Sequence, residues 1–386
     1  MTDPAALSQP LDAALLPAGV RARILPGVNG LAMHLLEGGH ERPAAPLVLL
    51  LHGFPELAWS WRKVIPALAA AGYHVVAPDL RGYGRTTGCD TSFHGDVRQF
   101  RMFNLVIDVL CLVRALGRER VHAVVGHDFG SPLAAWCALS RPDVFAAVAL
   151  MSAPFAGAPA LDAFDSMKGA MDIHLALAAL DRPRKHYQWY YSTPEADAHM
   201  RHCPQGLHAF LRAYYHHKSA DWPGNRPEPL GGWMAAELAR LPTYYIMDLH
   251  QDMAATVAPH MPGPAQVAAC GWLTEAELAV YAGEFARTGF QGGLQWYRCM
   301  TAPAIATELR LLAGRRIEVP ALFVAGRQDW GVYQRPGDFE RMQAYALCNL
   351  RSCHLVEGAG HWVQQEQAGW VNELLLEFLA SGARDA

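Results

Sequence analysis

The feature that most constrains the fold is a Gly-x-Asp-x-Gly pattern at Gly126, Asp128 and Gly130. Residues 121–125 before it form a short apolar run rich in β-branched residues, which predicts a buried strand. The uncharged run of helix formers after it predicts a buried helix. Two glycines around one residue at such a junction indicate a nucleophile elbow, a sharp turn that presents a single side chain at its tip. Both glycines are needed because a Cβ atom at either position would crowd the crossing of strand and helix. The residue at the tip is aspartate, where serine is usual.

Apolar runs of strand length alternate with helical patterns on both sides of this elbow. Strands are predicted at 46–51, 74–77, 145–151, 319–325 and 354–356, with two short strands inside 22–36, and helices at 61–71, 103–116 and 371–379. This alternation predicts an α/β fold with a doubly wound, mostly parallel sheet.

The alternation stops near residue 155 and resumes near residue 300. The segment between is rich in aromatic residues, His and Pro, holds nine of the 13 tyrosines, and shows helical stretches without buried-strand runs. Thr274 and Glu277 have the spacing of a capping box at the start of one such helix. We therefore expect a core formed by 1–155 and 301–386, interrupted by a helical cap, or lid, at 156–300.

Composition argues against several classes of partner. The 386 residues carry a formal net charge of −4 without a long charged block, which disfavours nucleic acid and anionic membranes as partners. Residues 1–20 contain no Lys or Arg, so the positively charged start of a signal peptide is missing. The eight cysteines form no CxxC pair and are expected to be free, buried thiols in a reducing cytoplasm. Whether the protein is a monomer or a homodimer is left open.

Two other motifs carry weaker signals. Gly82, Gly84 and Gly88 have the spacing G-x-G-x-x-x-G, which differs from that of a dinucleotide-binding loop. His216 and His217 are adjacent, and neighbouring side chains on a helix point in different directions, so they do not form a metal site. No cofactor and no metal are predicted.

An elbow nucleophile on such a sheet is followed along the chain by an acid and then a histidine. Asp329 comes after an apolar strand and a glycine turn, and His361 lies in the loop after the final strand. The order and the placement of Asp128, Asp329 and His361 predict a catalytic triad. His127, inside the elbow, is expected to be a structural neighbour whose side chain points away from Asp128.

An aspartate nucleophile changes the chemistry. A carboxylate is ionised at neutral pH, so it can attack an sp3 carbon without a base and form an alkyl-enzyme ester. Water deprotonated by His361 can then hydrolyse that ester, with Asp329 orienting the imidazole. The backbone N–H groups of Phe54 and Phe129 are the expected donors to the oxyanion of this second step.

Several motifs together resemble the α/β-hydrolase-fold epoxide hydrolases, of the soluble epoxide hydrolase type. They are HGFPE at 52–56, DLRGYG at 79–84, GHDFG at 126–130, GHW at 360–362 and, in the cap, YQWY at 187–190 and GFQGGLQWYR at 289–298. The resemblance is close over 45–155 and 272–300 and weak over 200–270. Phe129 stands where that family commonly has Trp after the nucleophile.

The resemblance implies the α/β-hydrolase fold and the conversion of a small, apolar epoxide and water to a vicinal diol, as in detoxification. It implies that Tyr187 and Tyr297 donate protons to the epoxide oxygen, with Tyr190 as the substitute for Tyr187 if the register is wrong. It also implies a substrate pocket formed by His52, Pro55, Trp189, Tyr190, Trp296 and Trp362.

Two alternatives remain open at this point. A haloalkane or haloacid dehalogenase could use the same Asp128, His361 and Asp329, although a leaving halide needs N–H donors rather than the proton donors that paired tyrosines provide. A catalytically silent binding protein of the same fold is the second alternative, and the intact triad argues against it.

Overall fold

The computed structural model describes residues 9–42, 44–161 and 172–382. Its main element is an eight-stranded sheet with the order β1-β2-β4-β3-β5-β6-β9-β10, in which β1, β2 and β4 pair antiparallel and the other neighbours pair parallel. A separate antiparallel pair is formed by β7 and β8. The strands are β1 Val20–Val28, β2 Leu31–Gly38, β3 Leu47–Leu51, β4 His74–Pro78, β5 Ala123–His127, β6 Val148–Met151, β7 Arg184–His186, β8 Ile246–Asp248, β9 Ala321–Gly326 and β10 Leu350–Val356. The prediction of a mostly parallel α/β sheet is confirmed.

Helices flank this sheet. They are α1 Ile65–Ala70, α2 Met102–Ala115, α3 Gly130–Ser140, α4 Ile173–Ala178, α5 Tyr187–Tyr191, α6 Ala196–Arg201, α7 Leu207–Lys218, α8 Ala235–Leu238, α9 Met253–Val257, α10 Pro264–Ala269, α11 Glu275–Thr288, α12 Gln291–Thr301, α13 Pro303–Ala306, α14 Asp338–Arg341, α15 Val363–Glu366 and α16 Ala368–Gly382.

The central strands β3, β4, β5, β6 and β9 are buried along their whole length. Strands covered on both faces must be continuously apolar, which is why their sequences show no alternation of polar and apolar residues. Helix α3 packs against β5 and β6 and is itself almost entirely buried. The elbow therefore sits at the centre of the sheet, where its neighbours hold it on all sides.

The chain between β6 and β9 contains most of the helices. The capping box predicted at Thr274 and Glu277 begins α11: the Thr274 hydroxyl accepts from the Glu277 amide at 3.3 Å, and the Glu277 carboxylate accepts from the Thr274 amide at 2.8 Å. The segment shows no buried-strand run in its sequence, yet two short strands, β7 and β8, pair within it. Each has only three residues, too few for a periodic pattern to show in the sequence.

Other expectations were only partly correct. The two strands expected to be short, β1 and β2, have nine and eight residues and form a long hairpin at the edge of the sheet. The helix predicted at 61–71 is shorter, because a 3₁₀ turn at Ala58–Trp61 precedes α1. The eight cysteines are unpaired as expected, but only Cys137, Cys203 and Cys299 are buried, and Cys348 is exposed.

The ranges predicted for core and cap include residues 1–8, 43, 162–171 and 383–386, which lie outside the described part of the chain.

Candidate active site

The elbow has the geometry that its sequence predicts. Asp128 follows the last residue of β5, has the left-handed φ of 51°, and is followed closely by the first residue of α3. A Cβ atom on Gly126 would overlap the carbonyl of Gly130, and one on Gly130 would overlap the carbonyl of Leu51. The requirement for both glycines is therefore confirmed. The turn leaves the Asp128 side chain at the carboxyl edge of the sheet.

The structure brings together the three side chains of the predicted triad. His361 Nε2 lies 3.3 Å from Asp128 Oδ2, and His361 Nδ1 lies 3.1 Å from Asp329 Oδ1. Asp329 is further held by the amide of Gly331, which donates to Oδ1 at 2.7 Å. One imidazole therefore spans two carboxylates, as a base between a nucleophile and an orienting acid does.

A fourth side chain, Ser152, completes the hydrogen bonding of this imidazole. Its Oγ donates to Asp329 Oδ2 and lies 2.8 Å from His361 Nδ1. Because a carboxylate only accepts, the Ser152 hydroxyl donates its hydrogen bond to Asp329. Oγ in turn accepts a hydrogen bond from Nδ1–H of His361. This leaves Nε2, on the Asp128 side, without a proton in the neutral imidazole. Ser152 has φ 69°, and together with Asp128 and Asn29 it is one of three non-glycine residues with positive φ in the described chain.

Asp128 is held as a carboxylate. Burial, the largest influence, would raise its pKa, but the imidazolium form of His361 beside it and the charge of Lys218 keep the pKa below its usual value. The amide of Phe54 donates to Asp128 Oδ1 at 2.9 Å. The Phe129 amide, at the residue after the nucleophile, is the second predicted oxyanion donor, and Phe129 immediately precedes α3. With Oδ1 hydrogen-bonded to the Phe54 amide, the ionised carboxylate can attack a substrate carbon through Oδ2.

Tyr187 and Tyr297, on helices α5 and α12, line the same cavity as Asp128. Their ring centroids are 5.8 Å apart, and the Tyr297 ring packs edge-on against Phe129 at 4.6 Å and Phe54 at 5.3 Å. The Tyr187 hydroxyl donates to Gln334 Oε1 at 3.1 Å and accepts from the side-chain Nε2 of Gln188 at 3.3 Å. Burial holds the pKa of both phenols well above the usual value, so both keep their protons at neutral pH.

Asp128 opens into a cavity of about 720 Å³ that these tyrosines also line. Its walls are largely apolar and come from both the sheet-forming part of the chain and the helical segment; they include Phe100, Leu105, Phe129, Trp136, Phe155, Trp296, Met300, Ile305, Leu309 and Val332. The cavity can therefore hold a substantial apolar molecule against the nucleophile and the two phenols.

The six residues predicted to form the substrate pocket lie in different places. Of the six predicted residues, Trp296 lines this cavity, whereas His52, Pro55, Trp189, Tyr190 and Trp362 do not. His52 is fully buried behind the loop, where Nε2 accepts from the Leu80 amide at 3.0 Å. The carbonyl of Pro55 accepts from the hydroxyl of Tyr215 at 2.8 Å. Both residues fix the loop that carries the Phe54 amide.

The other three aromatic side chains also point elsewhere. Trp189 packs against the rings of His174 and His186, at 4.4 and 5.0 Å. The Tyr190 hydroxyl accepts from the Met253 amide at 3.3 Å and lies 3.2 Å from His199 Nδ1, so it is not directed into the cavity that Tyr187 lines. Trp362 donates from Nε1 to the carbonyl of Tyr215 at 2.9 Å. A motif fixes the position of a residue along the chain and does not fix the direction of its side chain.

His127 has the structural role predicted for it. Its Nδ1 lies 2.6 Å from Glu56 Oε2, and its Nε2 lies 2.7 Å from the carbonyl of His361. Both residues of this pair are fully buried, and Gln364 Nε2 donates to the other Glu56 oxygen at 2.9 Å. Burial alone would raise the pKa of Glu56, and the charge of His127 lowers it. The pair therefore holds the backbone of the loop that carries His361.

Glu366 clamps the same loop. Its carboxylate accepts from the amides of Gly360, Trp362 and Ala220, at 2.9, 2.9 and 2.8 Å. Burial raises the pKa of Glu366 to about 8, against the effect of these three donors. The two residues that flank His361 are thus tied to one side chain and, through Ala220, to the end of α7.

Sequence reasoning missed Ser152, Gln334, Lys218 and Glu366. Ser152 had a usable signal, because a polar residue directly after a buried strand beside the elbow strand lies at the same edge of the sheet. Gln334 and Lys218 offered none, because their partners are distant in sequence. Glu366 lies near Gly360 and Trp362 along the chain, but no pattern shows that its side chain turns back to their amides. Among the described residues, no cluster of three or more His, Cys, Asp or Glu side chains could hold a metal ion, and no helix is long and apolar enough to cross a membrane.

The sequence is similar to those of known proteins. Residues 46–231 match the family model described as alpha/beta hydrolase fold. The chain is 35% identical over 365 residues to Epoxide hydrolase A of Mycobacterium tuberculosis, an alignment that covers 94% of this chain and 98% of that protein. It is 30% identical to an epoxide hydrolase of Caballeronia sordidicola, with 91% of each chain covered.

Solved structures give the same result. The fold is similar to an epoxide hydrolase from an endophytic Streptomyces, with a TM-score of 0.75, 34% identity, and coverage of 96% of this chain and 98% of that one. It is also similar to potato epoxide hydrolase I, with a TM-score of 0.71, 29% identity, and coverage of 94% and 99%.

Proposed function

The chain belongs to the epoxide hydrolases of the α/β-hydrolase fold, and we propose that it opens its substrate through a covalent ester on Asp128. The overall reaction converts an epoxide and water to a vicinal diol. The observation that carries the proposal is the position of Asp128, whose carboxylate lies between the Phe54 amide and His361 and faces a cavity lined by two phenols.

In the first half-reaction, Asp128 attacks an epoxide carbon and the C–O bond of the ring breaks. The electron pair goes to the departing oxygen, which takes a proton from Tyr187 or Tyr297. An alkoxide is far more basic than an unperturbed phenol, whose pKa is about 10, so the departing oxygen is a strong acceptor for this proton. Burial raises the pKa of both phenols and opposes the transfer. Two donors also match the two lone pairs of the oxygen. Substrate binding must replace the hydrogen bond from Tyr187 to Gln334.

In the second half-reaction, water attacks the carbonyl carbon of the Asp128 ester. His361 Nε2 takes a proton from that water, and Asp329 stabilises the imidazolium. The contact of Nδ1 with Ser152 Oγ supports the tautomer in which Nε2 can act as the base. The amides of Phe54 and Phe129 stabilise the oxyanion, which forms on the nucleophile's own carboxyl group. The tetrahedral intermediate then collapses: the bond between the carbonyl carbon and the diol oxygen breaks, and that oxygen takes the proton left on the added water oxygen. The proton held by His361 returns to the phenolate, so the diol leaves with the carboxylate, the imidazole and the phenol restored.

The volume and the apolar walls of the cavity support a bulky, apolar epoxide as substrate. We also propose that 156–300 is a cap domain inserted in a core of 1–155 and 301–386, because both Tyr187 and Tyr297 come from that segment while the triad comes from the flanking parts. Eight unpaired cysteines support a cytoplasmic location.

The test is to assay the purified protein with styrene oxide and with a haloalkane of similar size. We expect diol from the epoxide and no halide from the haloalkane. Asp128→Ala should abolish diol formation, whereas Asp143→Ala, which removes an exposed carboxylate, should leave it unchanged. Diol formation by a folded Asp128→Ala variant would contradict the role of this residue.

A further inference from the structure

Lys218, the last residue of α7, has a buried ammonium group that takes no part in the two half-reactions proposed above. The residue is 3% exposed. Its Nζ faces four aromatic rings, with distances to the ring centroids of 4.9 Å for Tyr245, 5.4 Å for Trp362, 5.6 Å for Tyr214 and 5.7 Å for Tyr244. Such rings attract a cation through the negative potential of their faces.

The described part of the chain offers this ammonium no direct counter-ion. Within the described ranges, no carboxylate lies within ion-pair distance of Nζ, and the ammonium group packs against aromatic rings. An unpaired charge is costly to bury. Burial lowers the pKa of Lys218, and the more distant charges of Asp128, Asp329 and Glu56 oppose that effect. The cation is therefore held in the field of the active-site carboxylates rather than beside any one of them.

Two contacts connect Lys218 to the catalytic histidine. The His361 amide donates to the Lys218 carbonyl at 2.9 Å. On the side-chain path, the Trp362 ring that faces the ammonium lies 4.6 Å from the His361 ring, which in turn contacts Asp128. The charge of Lys218 is also one of the causes of the low pKa of Asp128. Two side chains, those of Trp362 and His361, thus separate Lys218 from the nucleophile along this path.

We propose that Lys218 is a positioning residue whose fixed positive charge acts through Asp128 and favours hydrolysis of the ester over its formation. The inference rests on the covalent mechanism proposed above. It follows from where the negative charge lies at each stage. Asp128 is an anion in the free enzyme, becomes neutral when its oxygen bonds to the epoxide carbon, and becomes an anion again when water adds to the ester carbonyl.

A nearby cation stabilises the anionic stages and not the neutral ester. It therefore lowers the energy of the tetrahedral oxyanion relative to the ester and speeds the second half-reaction. The same cation stabilises the carboxylate before attack, so it gives no help to the first half-reaction. A residue that only maintained the fold would affect both half-reactions in the same direction.

The test compares Lys218→Met, which keeps the length of the side chain and removes its charge, with Lys218→Arg, which keeps the charge. Lys185→Met is the matched control, because Lys185 Nζ also lies over a tyrosine ring, that of Tyr190 at 4.9 Å, away from the triad. Rapid-quench mass spectrometry of the intact protein measures the rate constants for ester formation and ester hydrolysis separately. Near-UV circular dichroism checks the fold, and Lys218→Gln replaces Lys218→Met if the latter does not fold.

We expect Lys218→Met to slow ester hydrolysis about tenfold, with ester formation unchanged or faster. The ester should then accumulate at steady state, kcat and KM should fall together, and kcat/KM should not fall. Lys218→Arg and Lys185→Met should keep the wild-type ratio of the two rate constants. Equal slowing of both steps in Lys218→Met, or the same shift in Lys218→Arg, would overturn the proposal. If His361→Gln forms no ester at all, the covalent mechanism fails instead.

Discussion

The backbone of Ser152 allows its structural role and its chemical role to be separated by two substitutions. Ser152→Ala and Ser152→Gly both remove the hydroxyl that binds Asp329 and accepts from His361 Nδ1. They differ in backbone freedom, because the φ of 69° lies in the left-handed region that glycine adopts without cost. We expect the two variants to have the same catalytic defect and different stabilities.

The magnitudes follow from these contacts. A left-handed conformation costs an L-residue roughly 1–2 kcal/mol, and part of that gain for glycine is lost to the greater freedom of its unfolded chain. Ser152→Gly should therefore exceed Ser152→Ala by about 1 kcal/mol in free energy of unfolding. A hydrogen bond to a charged group contributes roughly 1.5–3 kcal/mol, so loss of the hydroxyl should slow ester hydrolysis by about 10–100-fold in both variants.

Urea unfolding followed by circular dichroism measures the stability difference, and single-turnover mass spectrometry measures ester hydrolysis. Hydrolysis at the wild-type rate in either variant would refute the role of the hydroxyl in fixing the tautomer of His361. A Ser152→Ala variant as stable as Ser152→Gly would refute the assignment of strain to this position. The two results are independent, so one half of the reasoning can fail without the other.

Further substitutions test the remaining parts of the site. Tyr187→Phe and Tyr297→Phe should each slow ester formation only partly, because the other phenol still donates, and the double variant should lose about 10²–10⁴-fold; near-normal epoxide opening by the folded double variant would refute the role of the phenols. His361→Gln should form the ester and fail to hydrolyse it, so intact-protein mass spectrometry should show an adduct of the substrate mass. Unmodified protein would contradict the assignment of His361 to ester hydrolysis alone. Glu366→Ala removes the acceptor of the amides that flank His361 and should slow hydrolysis much more than ester formation in the same single-turnover experiment, whereas unchanged hydrolysis would show that the clamp is dispensable.

The parts of the site that sequence predicted well are those with a local cause. The glycines around Asp128 are required by a turn of five residues, and Asp329 and His361 each follow a strand at the same edge of the sheet. The geometry of a parallel sheet brings the carboxyl ends of its strands together, so position along the chain implies proximity in space. The triad therefore follows from pattern and order alone.

The parts that sequence predicted poorly depend on side-chain direction or on distant partners. Trp189 and Tyr190 lie on the same short helix as Tyr187. The Trp189 ring nevertheless packs against His186, and the Tyr190 hydroxyl binds the Met253 amide, so neither side chain enters the cavity. Lys218 acquires its ring partners from α7, from the 244–245 turn and from the loop after β10, and no local pattern joins those segments. These contacts exist only once the chain has folded.

The most direct test of the account is the source of the oxygen that enters the diol. Enzyme in excess over epoxide, in water labelled with oxygen-18, completes a single turnover, and mass spectrometry reads both the diol and the peptide that contains Asp128. The covalent mechanism predicts an unlabelled diol and label in the Asp128 carboxylate, because the new oxygen of the diol comes from Asp128 and water replaces it there. Label in the first-turnover diol, with none in Asp128, would mean that water attacks the epoxide directly and would contradict the central claim.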